Sequence, residues 1–178
     1  NPEAVRCNEY LKLRGLSQDT IKKFKLGYSF NSKTLLFDYL KAKSFKDEDI
    51  INSNVVKIDK NNKIKDYFYK RLIFPILDEK GKVAGFGGRA LDDSNPKYIN
   101  SPESRFFHKR NLLYNLADAK YVARKKNNLL ICEGYMDVIS LYQNGIQSVV
   151  APLGTALTDE QLILAWKYSS KPTIMFDG

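Results

Sequence analysis

The sequence predicts an α/β protein: a mixed α/β part at the N-terminus, then the start of a Rossmann-like parallel sheet with flanking helices. Three patterns predict it. Apolar residues recur at helical spacing between Glu3 and Ile51, and from Val55 the period becomes that of strands. From Leu129 short apolar strands alternate with helical segments through short connections. Strands of that kind, apolar throughout and joined through helices, belong to a parallel sheet covered on both faces. The boundary is drawn in the basic run that ends at Lys126. It separates a basic N-terminal part, residues 1–126, from a second part, residues 127–178.

Each element has its own signal. Glu3 to Leu13 is a helix that stops at Gly15, and Ser17 is the N-cap of the next, through Phe24, with Asp19 favourable in its first turn. Thr34–Ala42 and Asp47–Ile51 are two more. Asp59-Lys60-Asn61-Asn62 and Asp78-Glu79-Lys80-Gly81 are turn chemistry, and the second joins Leu72–Leu77 to Lys82–Phe86 as a hairpin. Gly85, Gly87 and Gly88 then crowd around Phe86, ahead of Arg89. They read either as a bulged strand end or as a place where backbone or ligand comes close. Ala117–Lys126 returns to helix.

The last stretch reads as strand Leu129–Cys132, helix Tyr135–Gln143 closed by Gly145, strand Ser148–Ala151, helix Asp159–Tyr168 and strand Thr173–Phe176. Thr158 with Gln161 forms a capping box, and Leu157 is placed to staple to Leu162.

Composition narrows the function classes. The 178 residues are 43% hydrophobic and 28% charged, ordinary for one medium domain or two small ones. No apolar run approaches the roughly 18 residues that span a membrane, so no membrane partner and a cytoplasmic location are expected. The start, Asn1-Pro2-Glu3-Ala4, lacks Met and a signal-peptide pattern and reads as the cut end of a longer protein. Cys7 and Cys132 belong to no Cys/His cluster, so zinc is not expected and both read as buried small hydrophobes.

The net charge of +9 is uneven. Residues 63–126 carry 15 basic and 7 acidic side chains, whereas residues 127–178 carry 2 and 5. A basic middle beside an acidic end suits a polyanion groove facing a cation-binding carboxylate cluster.

Ligand sites of open parallel sheets lie beyond the carboxyl ends of the strands. Glu133 ends one strand there and Asp177 another, while Asp137 falls in the first turn of the helix after Glu133. Hard oxygen donors so placed suit Mg²⁺ or Mn²⁺, which neutralise a triphosphate during phosphoryl transfer. Taken singly, Asp137 reads as a helix cap and a strand-end acid as a solvated loop residue. The spacing leaves polymerase, nuclease and phosphatase open.

The stretch Glu133-Gly134-Tyr135-Met136-Asp137-Val138-Ile139, continuing to Ala151-Pro152-Leu153-Gly154-Thr155, resembles the Toprim core of bacterial DnaG-type primases. Toprim is shared with topoisomerases and some nucleases, so the upstream blocks decide more. Arg71–Ile76, Gly85-Phe86-Gly87-Gly88-Arg89, Pro96–Glu103, Phe107-His108-Lys109 and Leu113-Tyr114 look like the primase blocks in order, as do Tyr10-Leu11, Arg14-Gly15-Leu16 and Leu26-Gly27-Tyr28.

The resemblance implies an incomplete Toprim domain and metal-dependent synthesis of short RNA primers on a single-stranded DNA template from ribonucleoside triphosphates. It implies Glu133 and Asp177 as metal ligands, Glu133 as general base and Asp137 as supporting acid. Arg71, Arg89, Lys97 and Lys109 would line the template and nucleotide groove, with Asn100 on sugar or phosphate. Tyr98 and Tyr135 would stack on bases, unless they pack as core. His108, the one histidine, reads as a surface or phosphate contact. Replicative helicase and single-strand binding protein are expected partners of the whole protein, which is expected to be a monomer. The family's acidic motif D-G-D stops here at Asp177-Gly178, so the isolated chain is expected to be inactive.

Overall fold

The computed structural model describes residues 2–154 and 156–177. Asn1, Thr155 and Gly178, on which parts of the sequence reading fall, lie outside the described residues. Helix α1 (Pro2–Leu13) ends at Gly15, whose φ of +74° is the left-handed conformation a helix stop favours. Helix α2 (Gln18–Lys23) starts as expected, the Ser17 hydroxyl accepting the Thr20 N–H at 3.2 Å. Strand β1 (Gly27–Ser29) and helices α3 (Leu35–Ala42) and α4 (Asp47–Asn52) follow.

Strands β2 (Val56–Ile58) and β3 (Ile64–Asp66) form a small antiparallel ribbon. Asp66 at its end is buried, and its carboxylate accepts the Leu36 and Phe37 N–H groups at 2.8 and 3.0 Å. The start of α3 is thus satisfied by a residue some 30 positions away in sequence rather than by its own N-cap.

Strands β4 (Arg71–Leu77) and β5 (Val83–Ala90) form the expected hairpin, and β6 (Tyr98–Asn100) completes an antiparallel sheet of order β1-β4-β5-β6. After a 3₁₀ turn (Lys109–Asn111) come β7 (Leu113–Tyr114), α5 (Leu116–Lys126), β8 (Leu130–Cys132), α6 (Tyr135–Gln143), β9 (Val149–Pro152), α7 (Asp159–Trp166) and β10 (Thr173–Met175).

The second sheet has the order β10-β8-β9-β7. β8 pairs in parallel with both β10 and β9, so the parallel core is the one the sequence pattern predicts. One strand departs from it. Leu113-Tyr114, from upstream, pairs antiparallel with β9 and closes that edge. A two-residue strand carries no periodicity of its own, and only its register on Ala151 and Pro152 makes it one.

Alternation along the strands assigns the two faces of this sheet. Cys132, Val149 and Ala151 point into one core with Val138 and Ile139 of α6. Ile131 and Val150 point into the other, with Ala119 and Ala123 of α5 and Leu164 and Ala165 of α7. The first core continues without a break into Leu72, Phe74 and Ile76 of β4, each 0% exposed, so one apolar layer joins the two sheets. Burial of such side chains stabilises by about 1.5–3 kcal/mol each.

The three glycines of β5 serve this junction. None has a positive φ, and all three lie in regular strand paired to β4, the bulge falling earlier, at Ala84. A Cβ on Gly85 would stand 2.5 Å from the Phe107 ring, on Gly87 2.7 Å from the Tyr135 ring, and on Gly88 2.7 Å from the Phe68 ring. What lies against the three glycines is aromatic side chains, one of them from the first turn of α6.

Candidate active site

Adjacent parallel strands bring the two strand-end acids together. Glu133 follows β8 and Asp177 lies two residues beyond β10, and the Asp177 N–H donates to Glu133 Oε2 at 3.4 Å. Both side chains are exposed at the carboxyl edge of the sheet. Asp137 is held differently. Its Oδ2 accepts the Gly134 N–H at 3.0 Å, closing the first turn of α6 as a helix-capping acid.

Among the described residues no group of three or more His, Cys, Asp or Glu is gathered to hold a metal ion. Glu133 meets Asp177 through the Asp177 N–H, and Asp137 is bound to the backbone of Gly134. The pair offers hard carboxylate oxygens, a donor set that fits a divalent cation.

Against Tyr135 at the start of α6, two residues after Glu133, packs the front of the first sheet, whose residues are set by register. Opposed residues of antiparallel strands share a face. Leu72, Arg89 and Tyr98 are opposed, as are Phe74, Gly87 and Asn100, so Arg89, Tyr98 and Asn100 all point to the side that packs on α6. Arg89 is buried, its Nε donating to the Tyr98 hydroxyl at 3.1 Å, and its guanidinium lies 4.5 Å from the centre of the Tyr10 ring. Burial raises the Tyr98 phenol above its ordinary pKa, against the opposing pull of Arg89.

Arg14 uses the same Tyr10. Its guanidinium is 5.4 Å from the ring and its Nε donates to the Tyr10 hydroxyl at 3.0 Å. Two guanidinium groups on one ring make Arg14 a member of the basic cluster that sequence spacing could not place, because α1 and β5 are far apart in the chain. A cavity of about 480 Å³ opens here, lined by Tyr10, Arg89, Lys97 and the β5–β6 loop with Asp92 and Asp93. Lys97 is exposed on that loop.

Asn100 is a bridge. Its Nδ2 donates to the Leu153 carbonyl at 2.7 Å and its Oδ1 accepts the Tyr135 hydroxyl at 2.6 Å, so both ends of the amide tie the first sheet to the second. Tyr135 is core. It stacks on Phe74 with centroids 5.0 Å apart, meets Tyr114 edge-on, and burial drives its phenol far above the ordinary pKa. Of the two tyrosines read as stacking platforms, Tyr98 is 41% exposed and Tyr135 only 6%.

Lys109 is exposed at the 3₁₀ turn, where its backbone is anchored. Its N–H donates to Glu103 and its carbonyl accepts from the Gln161 amide of α7. His108 lies on the surface 3.4 Å from Glu103.

Arg71 lies on the other face of the sheet from Arg89. It is opposed to Ala90 and Ser29, one residue out of step with Leu72 and Arg89, and therefore points to the back of the sheet. There it is buried, with NH1 on the Gly88 and Lys97 carbonyls at 3.4 and 3.2 Å and NH2 on the Pro96 carbonyl at 2.9 Å. Arg71 braces the loop that carries Lys97 and does not line the front cavity.

Residues 1–120 match the family model of the DNA primase catalytic core, N-terminal domain, and residues 130–178 match a Toprim-like model. The chain belongs to the DNA primase family. Among curated members it is 45% identical over 177 residues to the DNA primase of Clostridium acetobutylicum, covering 97% of this chain and 29% of that protein. The Escherichia coli primase catalytic core aligns at 36% identity with a TM-score of 0.89, over 100% of this chain and 57% of that one. A primase catalytic domain solved bound to single-stranded DNA gives 36% identity and a TM-score of 0.87, again over 100% and 57%. The chain thus spans under a third of the length of the Clostridium primase.

Proposed function

We propose that this chain supplies the template-holding face and part of the catalytic edge of an enzyme that makes short RNA primers on single-stranded DNA from ribonucleoside triphosphates. The observation that carries the reading is the Glu133–Asp177 pair on adjacent strand ends, next to a helix α6 whose first residue, Tyr135, is bonded to Asn100 on the sheet face that also carries Arg89 and Tyr98. The two parts, residues 1–126 and 127–178, are the functional division of this proposal, with β7 and α5 packed from the first part onto the sheet of the second.

In the proposed reaction the 3′-hydroxyl of the growing primer attacks the α-phosphorus of the incoming triphosphate. A P–O3′ bond forms, the bond to the β-phosphate oxygen breaks, and pyrophosphate leaves. Glu133 takes the hydroxyl proton as general base. Glu133 and Asp177 are the residues that would hold a divalent ion, Mg²⁺ or Mn²⁺, which when bound neutralises charge on the triphosphate. Asp137 acts as a positioning acid, since its hold on the Gly134 N–H fixes the turn that carries Glu133.

Arg89, Lys97 and Lys109 contact phosphates, giving affinity without sequence readout. Asn100 keeps its place beside the nucleotide through Tyr135 and Leu153. The whole protein works as a monomer in the cytoplasm, with the replicative helicase and single-strand binding protein as partners. Among the described residues no helix is long and apolar enough to cross a membrane.

Glu133→Gln in the full-length protein tests this. Primer synthesis is expected to fall by about 10²–10⁴-fold, the contribution of a general base, with template affinity nearly unchanged. Primer synthesis at the normal rate refutes the role.

A further inference from the structure

The polar groups at the start of α7 do more than cap it. The Thr158 hydroxyl accepts the Gln161 N–H at 3.2 Å, and Gln161 Oε1 accepts the Thr158 N–H at 3.1 Å, closing a capping box. Such a box needs only an acceptor from its third helical residue, which glutamate supplies as well as glutamine. Here the other end of the amide is used too. Gln161 Nε2 donates to the Lys109 carbonyl at 3.0 Å and to the Leu112 carbonyl at 2.9 Å. The Thr158 hydroxyl gives its own proton to the Arg110 carbonyl at 2.9 Å. Gln161 is only 2% exposed, so its amide is a buried polar group whose oxygen and nitrogen are both partnered.

What these groups hold is the 3₁₀ turn Lys109–Asn111. Hydrogen bonds within 3₁₀ turns have poor geometry, and the one from the Leu112 N–H to the Lys109 carbonyl is 3.4 Å long. Three shorter bonds from the start of α7 therefore fix this turn more firmly than its own closing bond does.

Topology places the turn at the catalytic edge. Strands β8 and β9 run parallel, so the end of β9 lies on the edge where Glu133 follows β8. Leu113, the first residue of β7, is opposed to Pro152, the last residue of β9. The turn that precedes β7 thus lies beyond the carboxyl end of β9, where α7 begins.

We propose that Gln161 is a positioning residue for primer synthesis. By holding the Lys109 and Leu112 carbonyls it sets the turn so that the Lys109 ammonium meets the polyphosphate of the incoming ribonucleoside triphosphate. The inference rests on the reading of Lys109 as a phosphate contact and adds the group that places it. Lysine is a point charge on a flexible stem, so its reach to a fixed phosphate depends on where its backbone stands. A misplacement of about 1 Å can cost about 10²-fold in rate.

Gln161→Glu separates capping from placement. The ionised carboxylate still accepts the Thr158 N–H but has no proton for the two carbonyls. Thr158→Asp is its companion at a half-buried site, since aspartate caps a helix at least as well as threonine but cannot donate to the Arg110 carbonyl. Each variant is made in the full-length protein. The kcat/KM for ribonucleoside triphosphates at saturating single-stranded template is measured, together with template affinity and the urea midpoint.

Lys109→Gln is expected to lower kcat/KM about 10–100-fold, the usual contribution of a hydrogen bond to a charged group. Gln161→Glu should lower it about tenfold with template affinity unchanged. In a Lys109→Gln background the same substitution should cost less than about twofold, because a residue acting through Lys109 has nothing left to place. Thr158→Asp should repeat both results with a urea midpoint close to that of the parent.

A Gln161→Glu loss that persists in full when Lys109 is already glutamine overturns the proposal. So does a parent-like kcat/KM in both Gln161→Glu and Thr158→Asp. In either case an effect of Lys109→Gln alone leaves the phosphate contact standing. A Lys109→Gln protein as active as the parent overturns that contact and the inference with it. Losses that appear in template affinity instead of kcat/KM overturn the assignment to the triphosphate.

Discussion

Gly87→Ala is the perturbation that most directly probes how the two sheets hold the catalytic edge. The added methyl would stand 2.7 and 2.8 Å from Cε2 and Cζ of the Tyr135 ring and 2.9 Å from its hydroxyl oxygen, closer than such atoms pack. The ring has nowhere to retreat. It is stacked on Phe74 at 5.0 Å, meets Tyr114 at 4.7 Å, and its hydroxyl is tied to Asn100. Overpacking of this kind costs about 1–3 kcal/mol, from which roughly 0.5 kcal/mol is recovered because alanine is less flexible than glycine in the unfolded chain.

The net expectation is a loss of about 0.5–2.5 kcal/mol, read as a lower urea midpoint with unchanged slope. Gly27→Ala is the control, since its methyl meets nothing within 4 Å, and it should be neutral or slightly stabilising. In a Tyr135→Ala background the ring is gone, so the cost of Gly87→Ala should shrink by at least about 1 kcal/mol. Equal costs with and without the ring, or a Gly87→Ala midpoint matching that of Gly27→Ala, refute the reasoning. Because Tyr135 opens α6 two residues after Glu133, the same substitution should slow primer synthesis in the full-length protein.

Three more perturbations follow from the same structure. Asn100→Ala strands the Tyr135 hydroxyl and the Leu153 carbonyl and should cost about 1–3 kcal/mol in urea unfolding; a pure ligand contact would leave stability unchanged. Thr158→Ala removes an oxygen that accepts the Gln161 N–H at 3.2 Å, for an expected loss of about 0.5–2 kcal/mol that Thr158→Ser restores. Burial pushes the Cys7 thiol up to about 11 and the Cys132 thiol up to about 12 from 9.0, the latter with a contribution from Asp137. The folded protein therefore binds these protons more tightly than the unfolded chain. Their stabilisation is complete below pH 9.0 and is lost as pH rises toward about 11 and 12, so the urea midpoint should fall across that window, and less steeply in a Cys7→Ala/Cys132→Ala variant.

The sequence by itself determined what depends on neighbours in the chain. Gly15, Ser17 and the Thr158–Gln161 box act within one turn of helix, and the apolar runs at Leu129, Ser148 and Thr173 mark strands wherever they pack. The place of Glu133 and Asp177 follows from that alternation, because parallel strands put all their carboxyl ends on one edge.

Tertiary structure decided the rest. Which face Arg71 takes depends on a register counted across β4 and β5, where a shift of one residue reverses the side. The cap of α3 by Asp66, the shared Tyr10 of Arg14 and Arg89, and the bridge of Asn100 join positions distant in sequence, and no local pattern encodes them. Nor does the triplet Gly85, Gly87 and Gly88 state its purpose. The residues that need the space, Phe107, Tyr135 and Phe68, come near only when the two sheets and their ribbon have packed. Local chemistry fixed the elements and the acids at their ends, while register and packing chose which cations share the sheet face that packs on α6.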